Sequence, residues 1–176
     1  GNSRIVRYDI PTLTADNTAG SNGSGNNQLN GPLGIAFDQH ERCIYIADNT
    51  NTRLLKWNAY EDMTYIAVIS SIGSPVSAVV SDDLVYVTLA ASITAYDTST
   101  LTSQAVGLSS GTGNGNISTG SYIIAHERNL IFTETGNNRL QIVYNYRPQR
   151  AYGTGDSLTI DGQWFVNPTV PIGGDQ

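Results

Sequence analysis

Short apolar runs separated by polar turns recur along almost the whole chain. Between residues 33 and 69 the runs are LGIAFD, CIYIAD, RLLKWN and TYIAVI, and the intervening turns include DQHE and NTNT. Runs of this length, rich in aliphatic and aromatic residues and bounded by turn residues, are typical of β-strands. No stretch sustains the 3.6-residue periodicity of an amphipathic helix. The pattern predicts an all-β protein made of short antiparallel strands.

A second regularity is an internal repeat. His-Glu-Arg occurs at 40–42 and again at 126–128, a separation of 126 − 40 = 86 residues, and the stretch 34–58 matches 120–144 without a gap. Half of this separation, 43 residues, fits the length of one blade of a β-propeller. A weaker copy lies between the two, with the same strand pattern, a shorter polar turn and no Asn-x-Arg element.

The repeat predicts a β-propeller of four-stranded antiparallel blades, whose strands we call a to d from the axis outward. We expect three full blades and partial blades at both ends. The predicted bounds are 1–30 for the first partial blade, 31–72, 73–108 for a degenerate blade, 117–153, and 163–176 for the start of a further blade.

The motifs resemble those of one known family. The stretch 28–58, QLNGPLGIAFDQHERCIYIADNTNTRLLKWN, looks like an NHL repeat, the stretch 129–143 repeats its second half, and QWFVNP at 163–168 is similar to QLNGP at 28–32. Two departures stand out: Glu134 replaces Asp48, and the middle copy lacks the Arg. The resemblance implies a propeller that is mostly six-bladed and serves as a binding platform. A minority of the family are lyases or hydrolases with metal ligands and bases around the central channel.

The two His-Glu-Arg tripeptides are expected in turns between strands a and b. Equivalent turns of two blades lie far apart around a ring, so the two tripeptides do not converge on one substrate. Polar residues in tight β-connections bond backbone groups and stay solvated. The residues assigned to these turns are His40, Glu41, Arg42, His126, Glu127 and Arg128.

An Asn-x-Arg element occurs once in each recognisable blade, which favours a role that every blade needs. We expect the Arg to bond loop carbonyls or a neighbouring carboxylate, closing the b–c turn and bridging blades. The alternative is an Asn/Arg-lined face that binds carboxylates or sugar hydroxyls. The residues assigned to the structural role are Asn2, Arg4, Asp48, Asn51, Arg53, Glu134, Asn137 and Arg139.

Composition narrows the classes of function. The 176 residues carry a formal net charge of −6, and the few Lys and Arg residues are not clustered, which argues against a nucleic-acid partner. No apolar run approaches the about 20 residues of a membrane-spanning helix. Cys43 is the sole cysteine and lies in an apolar run, which predicts a buried, inert thiol. The chain opens with Gly1 rather than Met, so we expect a processed, trimmed or incomplete product.

Two Asn-x-Ser triplets, at Asn22 and Asn116, lie in loops rich in Gly, Asn and Ser and are candidate glycosylation sites. They favour an extracellular or secreted protein. We assign no catalytic residue, metal ligand or cofactor, because both histidines fall on the a–b turns and Asp161 and Asp175 are unpaired as calcium ligands.

We therefore expect a non-enzymatic extracellular β-propeller scaffold that binds a protein or a glycan, self-assembles through open blade edges, or does both. The alternative is an NHL-type hydrolase or lyase whose axial metal ligands lie partly outside this chain. The expected strand order leaves an unpaired blade edge. Further blades of a longer polypeptide, or strand addition from another chain, would complete it.

Overall fold

The structure is a computed structural model that describes residues 2–106, 108–127 and 129–143. Within these ranges the chain forms β-strands and no helix, so none of the described elements is a helix long and apolar enough to span a membrane. The strands are β1 (Ile5–Asp9), β2 (Thr14–Ala19), β3 (Pro32–Asp38), β4 (Cys43–Asp48), β5 (Arg53–Asn58), β6 (Tyr65–Ile69), β7 (Ser77–Ser81), β8 (Leu84–Thr88), β9 (Ile93–Asp97), β10 (Ser103–Gln104), β11 (Ser109–Ser110), β12 (Asn116–Ile117), β13 (Gly120–His126), β14 (Asn129–Glu134) and β15 (Arg139–Val143).

The sheets are antiparallel meanders of sequential strands. Strands β3–β6 and β7–β10 form two four-stranded sheets, β13–β15 form a three-stranded sheet, and β1 and β2 form a two-stranded one. A short parallel pair, β11 and β12, closes the loop before β13. The first strands of successive sheets, β3, β7 and β13, lie beside one another. This is the radial blade arrangement of a β-propeller, so the predicted all-β propeller class is confirmed.

The blade bounds predicted from the repeat can be compared with these sheets only in part. The sheet β1–β2 falls within 1–30, β3–β6 within 31–72 and β7–β10 within 73–108. The sheet β13–β15 covers the beginning of the 117–153 blade. Residues 144–176, which include the predicted blade start at 163–176 and both Asp161 and Asp175, lie outside the described residues, as does Arg128.

Three apolar clusters lie between neighbouring sheets. One joins β3–β5 to β7–β9 around Tyr45 and Val85, and a second joins β7–β9 to β13–β15 around Tyr86 and Phe132. The third lies under β1–β2 around Trp57, which is fully buried. Each fully buried large apolar side chain contributes about 1.5–3 kcal/mol of transfer free energy, so these interfaces stabilise the stack of blades.

The inner strands β3 and β7 approach each other closely at Gly34. A Cβ added there would lie 2.7 Å from the Cα of Ser77 on the neighbouring inner strand. No real Cβ contact is that short, so any larger residue at 34 would push the two blades apart at the axis.

The two His-Glu-Arg tripeptides occupy different positions, which corrects one prediction. In the first copy Asp38 pairs with Cys43, and all of His40–Arg42 lies in the turn. In the second copy His126 pairs with Asn129 as the last residue of β13, so His126 belongs to a strand rather than to the turn.

The reason for the difference is one side chain. The carboxylate of Asp38 accepts hydrogen bonds from the backbone N–H groups of His40 and Glu41, each at 2.9 Å, and so stabilises the wider turn. The equivalent position in the second copy is Ile124, 124 − 38 = 86 residues later, which has no acceptor. The second hairpin therefore continues its ladder and turns more tightly.

Candidate functional site

A buried carboxylate at the end of β4 organises the long loop between β2 and β3. Asp48 is fully buried. Its Oδ2 accepts hydrogen bonds from Arg53 Nε and Asn51 Nδ2, each at 2.8 Å, and its Oδ1 accepts one from the backbone N–H of Asn30 at 2.7 Å. We call Asp48, Asn51 and Arg53 the first clasp.

The first clasp also holds the loop by its carbonyls. The Arg53 guanidinium donates to the carbonyl oxygens of Ser24 at 2.6 Å, Gly25 at 2.9 Å and Gln28 at 2.8 Å. Asn51 Nδ2 donates to the carbonyl oxygen of Gly23 at 2.8 Å. A guanidinium presents its donors in a rigid fork, so one Arg holds several carbonyl groups of this loop at the same time.

The same arrangement recurs at the end of β14, where Glu134, Asn137 and Arg139 form the second clasp. Arg139 Nε donates to Glu134 Oε2 at 2.5 Å, and Asn137 Nδ2 donates to Oε1 at 3.0 Å. Arg139 and Asn137 then donate to carbonyl oxygens of the loop before β13, at Gly111, Thr112, Gly113 and Asn116.

The longer Glu134 side chain has an additional partner. Gln141 Nε2 donates to Glu134 Oε2 at 2.5 Å and to the Asn116 carbonyl at 2.8 Å. Burial by itself would raise the pKa of Glu134, but the hydrogen bonds from Arg139, from the Ser118 N–H and from Gln141 outweigh it, and the pKa is lowered. Glu134 is therefore held as a carboxylate.

The middle blade has a neutral substitute for the clasp. Thr88 stands at the position of Asp48, and its fully buried hydroxyl accepts from the Ser77 N–H at 3.1 Å and lies 3.1 Å from the Ser121 carbonyl. Ile93 stands at the position of Arg53 and packs in the core. The connection that enters this blade is short, residues 70–76, and leaves no long loop to hold.

The first Asn-x-Arg element does not repeat the clasp. Asn2 and Arg4 both lie exposed. The acid of the other two elements stands three residues before the Asn, a position that for Asn2 lies outside the sequence, so the structural role of Asn2 and Arg4 stays a prediction.

The first a–b turn, in which His40 and Arg42 are exposed and Glu41 is half-buried, also makes side-chain contacts. Lys56 Nζ, on a nearly buried residue, pairs with the Glu41 carboxylate and donates to the Thr98 carbonyl at 2.8 Å, linking two blades. The Arg42 guanidinium lies 4.1 Å from the centre of the Tyr60 ring, a cation–π contact. Both contacts connect the turn to neighbouring segments.

Three side chains at this turn could each offer one ligand atom to a metal ion, but each of them already has other interactions. The ligand atoms of Asp38, Glu41 and Cys43 lie within 4.8 Å of one another. Asp38 accepts two backbone N–H groups, Glu41 pairs with Lys56, and burial raises the pKa of the Cys43 thiol to about 11 although Lys56 opposes the shift. A protonated thiol and a lysine in the same cluster disfavour a bound cation.

Two c–d turns also repeat each other in sequence, a repeat that the sequence analysis did not predict. Tyr8-Asp9 is followed by Thr-Leu-Thr at 12–14, and Tyr96-Asp97 by Thr-Leu-Thr at 100–102, both in c–d turns. Asp97 Oδ1 accepts from the Ser99 hydroxyl at 2.6 Å and from the Thr100 N–H at 2.9 Å. These two bonds lower the pKa of Asp97 to about 2. The 97 − 9 = 88 residue spacing was the available signal.

The two candidate glycosylation sites differ in accessibility. Asn22 is exposed in the loop between β2 and β3. Asn116 is half-buried within β12, next to the fully buried Ile117, and its carbonyl is held by Arg139 and Gln141. Asn22 is the more accessible of the two acceptors.

No protein-family model matches this chain, and no curated protein matches its sequence. Solved structures do match. The WD40 repeats of RRP9 superpose with a TM-score of 0.63 at 7% identity, over 80% of this chain and 42% of that chain. The Myceliophteria thermophila Cps50 (Swd1) β-propeller domain gives a TM-score of 0.58 at 12% identity, over 81% and 45%. A chain of a nidogen/laminin complex gives 0.57 at 12% identity, over 81% and 53%.

These similarities establish the fold, which is a β-propeller. This chain spans about half the length of the propeller chains that it matches, between 42% and 53% of them in the three cases.

Proposed function

We propose that this chain is a non-enzymatic, NHL-like β-propeller scaffold that binds a protein or a glycan through one face of the disc. We call this the loop face and define it by residues 20–31, residues 108–119 and the b–c turns. The NHL-like pattern is supported by the two copies of the acid–Asn–Arg element in which the acid ends strand b and the Arg begins strand c.

The observation that carries the proposal is that two clasps hold two long polar loops in defined positions on the same face. Their outward residues, such as Asn26, Asn27, Thr112 and Asn114, are exposed and present amide and hydroxyl groups. Loops on a rigid scaffold are the usual place for binding residues. Because the clasps bond loop carbonyls, the loops lose little further entropy when they bind a partner.

The experiment is a binding comparison between the two faces of the disc. The chain is tested on an array of immobilised glycans and on a panel of extracellular protein domains, beside the double variant Asn26→Asp/Asn27→Asp on the loop face and the variant His40→Asp on the opposite face. We expect any ligand of the chain to be lost with the first variant and kept with the second. The reverse pattern, or binding of no probe by the chain, would contradict a ligand-binding loop face.

The extracellular part of the proposal is tested by glycosylation. We expect the chain, expressed with a secretion signal, to carry a glycan at Asn22, detected as a mass loss with a peptide-N-glycosidase. Asn22→Gln abolishes this loss, and Asn116→Gln leaves it unchanged, because Asn116 is half-buried in a strand. Secretion without modification at Asn22 would count against an extracellular setting.

A further inference from the structure

The chain contains three Asn-Gly pairs, which begin at Asn22, Asn30 and Asn114 and all lie on the loop face. In such a pair the backbone nitrogen of the Gly readily attacks the side-chain amide of the Asn, because Gly has no side chain to hinder the approach. The attack requires the peptide unit between the two residues to rotate. The hydrogen bonds of that unit therefore decide how reactive each pair is in the folded chain.

Two of the three peptide units are held by a backbone hydrogen bond. The N–H of Gly23 donates to the Leu29 carbonyl at 3.1 Å, so the unit that follows Asn22 is fixed across the loop. The Asn30 carbonyl accepts from the N–H of Thr50, also at 3.1 Å. Rotation of either unit would break its hydrogen bond and leave a backbone group without a partner.

The third unit, between Asn114 and Gly115, is not held in this way. Among the residues that the structure describes, neither the Asn114 carbonyl nor the Gly115 N–H takes part in a hydrogen bond. The second clasp holds the carbonyls on either side, since Arg139 Nη2 donates to those of Gly113 at 2.9 Å and Asn116 at 2.8 Å. The turn is thus anchored at both ends, and its central peptide unit is free to rotate.

The corresponding turn of the loop at 20–31 has the bond that is missing here. Each loop contains a turn closed by an N–H that donates to the carbonyl three residues earlier, at 25–28 and at 113–116. In the first of these turns Trp57 Nε1 donates to the Asn26 carbonyl at 3.1 Å and so holds the central unit. Trp57 aligns with Val143, 143 − 57 = 86 residues later, which has no donor.

The two turns also differ in their third residue. It is Asn27 in the first turn and Gly115 in the second, where φ is 78°, the left-handed value that the third residue of a type II turn needs. Asn114 itself is exposed, so hydroxide and water reach its side chain. The second turn therefore combines an accessible amide, an unhindered nitrogen and a peptide unit without hydrogen bonds.

We propose that Asn114 is a site of spontaneous deamidation. Hydroxide removes the Gly115 amide proton, and the nitrogen attacks Asn114 Cγ. The new N–Cγ bond closes a cyclic imide, the Cγ–Nδ2 bond breaks, and Nδ2 leaves as ammonia with a proton from water. A water molecule then opens the imide at one of its two carbonyls, which gives either an aspartyl or an isoaspartyl residue with a free carboxylate.

The conversion changes the charge of the loop face. Its two loops, at 20–31 and 108–119, contain no Asp, Glu, Lys or Arg, and neither do its b–c turns at 49–52, 89–92 and 135–138. The new carboxylate is then the single charged side chain of these segments. The reaction goes beyond the proposed function and does not depend on it, because it needs no partner on the loop face.

The test follows the loss of each amide by peptide mapping and mass spectrometry. The chain is produced without glycosylation and incubated at mildly alkaline pH, once folded and once in concentrated urea. Dividing each folded rate by the rate in urea removes the influence of neighbouring residues. We expect this ratio to be about tenfold higher for Asn114 than for Asn22 or Asn30, the factor that one net hydrogen bond represents. Equal ratios at the three positions would overturn the proposal.

Two variants separate sequence from structure, and circular dichroism shows that each is folded. Asn27→Gly creates an Asn-Gly pair at Asn26, where Trp57 still holds the peptide unit, so Asn26 should react about tenfold more slowly than Asn114. Gly115→Asn introduces the residue of the first turn, which tolerates a left-handed φ, and should stop most of the conversion at Asn114. Rapid conversion of Asn26, or an unchanged rate at Asn114, would contradict the proposal. Neither result affects the binding comparison between the two faces of the disc.

Discussion

The blades β3–β6 and β7–β10 have the same strand order but differ at the end of their second strand. Their second strands, β4 and β8, are buried along their whole length in both. In the blade β3–β6 this strand ends at the carboxylate Asp48, which pairs with Arg53 across the turn. In the blade β7–β10 it ends at Thr88, which pairs with Ile93. The same four-stranded sheet therefore forms with or without the ionic group.

The loops explain the difference. The clasped blade is entered through residues 20–31, and the unclasped blade through residues 70–76. A long connection costs more conformational entropy to order and leaves more backbone carbonyls without sheet partners. The Arg of the clasp satisfies several of these carbonyls, and its charge is balanced by a carboxylate that is itself fully hydrogen-bonded. The acid–Asn–Arg element is thus a device for holding loops rather than for forming sheets.

The largest predicted effect comes from breaking the first clasp. Arg53→Met leaves the fully buried Asp48 carboxylate without its cation and the loop carbonyls without donors. We expect the free energy of unfolding, measured by urea denaturation, to fall by about 3 kcal/mol or more. Arg4→Met is the matched control, because Arg4 is the Arg of the first Asn-x-Arg element but is exposed, and it should change stability little. Equal losses in the two variants would refute the clasp.

A smaller effect is predicted in the middle blade. Thr88→Val keeps the shape of the side chain but removes a hydroxyl bonded to Ser77 and close to the Ser121 carbonyl. We expect the free energy of unfolding to fall by about 1 kcal/mol, because the variant loses a neutral buried hydrogen bond and leaves no buried charge without a partner. A loss as large as that of Arg53→Met would show that the ion pair of the first clasp stabilises the fold no more than a neutral hydrogen bond does.

The smallest effects are predicted in the pH dependence of stability. The folded pKa of Glu134 is lowered, so its contribution is complete above its ordinary value of 4.5 and is lost as the pH falls from there through the folded pKa. Asp97, in the unclasped blade, acts in the same direction between 3.8 and about 2. Titration of the unfolding free energy should therefore lose slope just below pH 4.5 in Glu134→Gln. In Asp97→Asn the slope should change between pH 3.8 and about 2, and a variant whose slope stays unchanged would show that its carboxylate does not contribute to the pH dependence.

Much of the strand arrangement was predictable from the chain alone. The runs LGIAFD, CIYIAD and RLLKWN correspond to β3, β4 and β5, because alternating apolar residues between turn residues have few other stable arrangements. The Asn-x-Arg elements were recognisable as repeated positions. Their carbonyl partners, at 23–28 and 111–116, were not, since a loop rich in Gly and Asn has no periodicity from which its path can be derived.

The sequence by itself determined the all-β class, the repeat and the residues that recur in it, because these follow from local preference and spacing. Only the tertiary structure decided the long-range consequences. It moved His126 into a strand, since Ile124 lacks the carboxylate of Asp38. It also paired Glu41 with Lys56 and left Ile35 and Phe37 exposed on β3. Each of these depends on which segment lies next to another in space, and the order of apolar and polar residues along one strand does not contain that information.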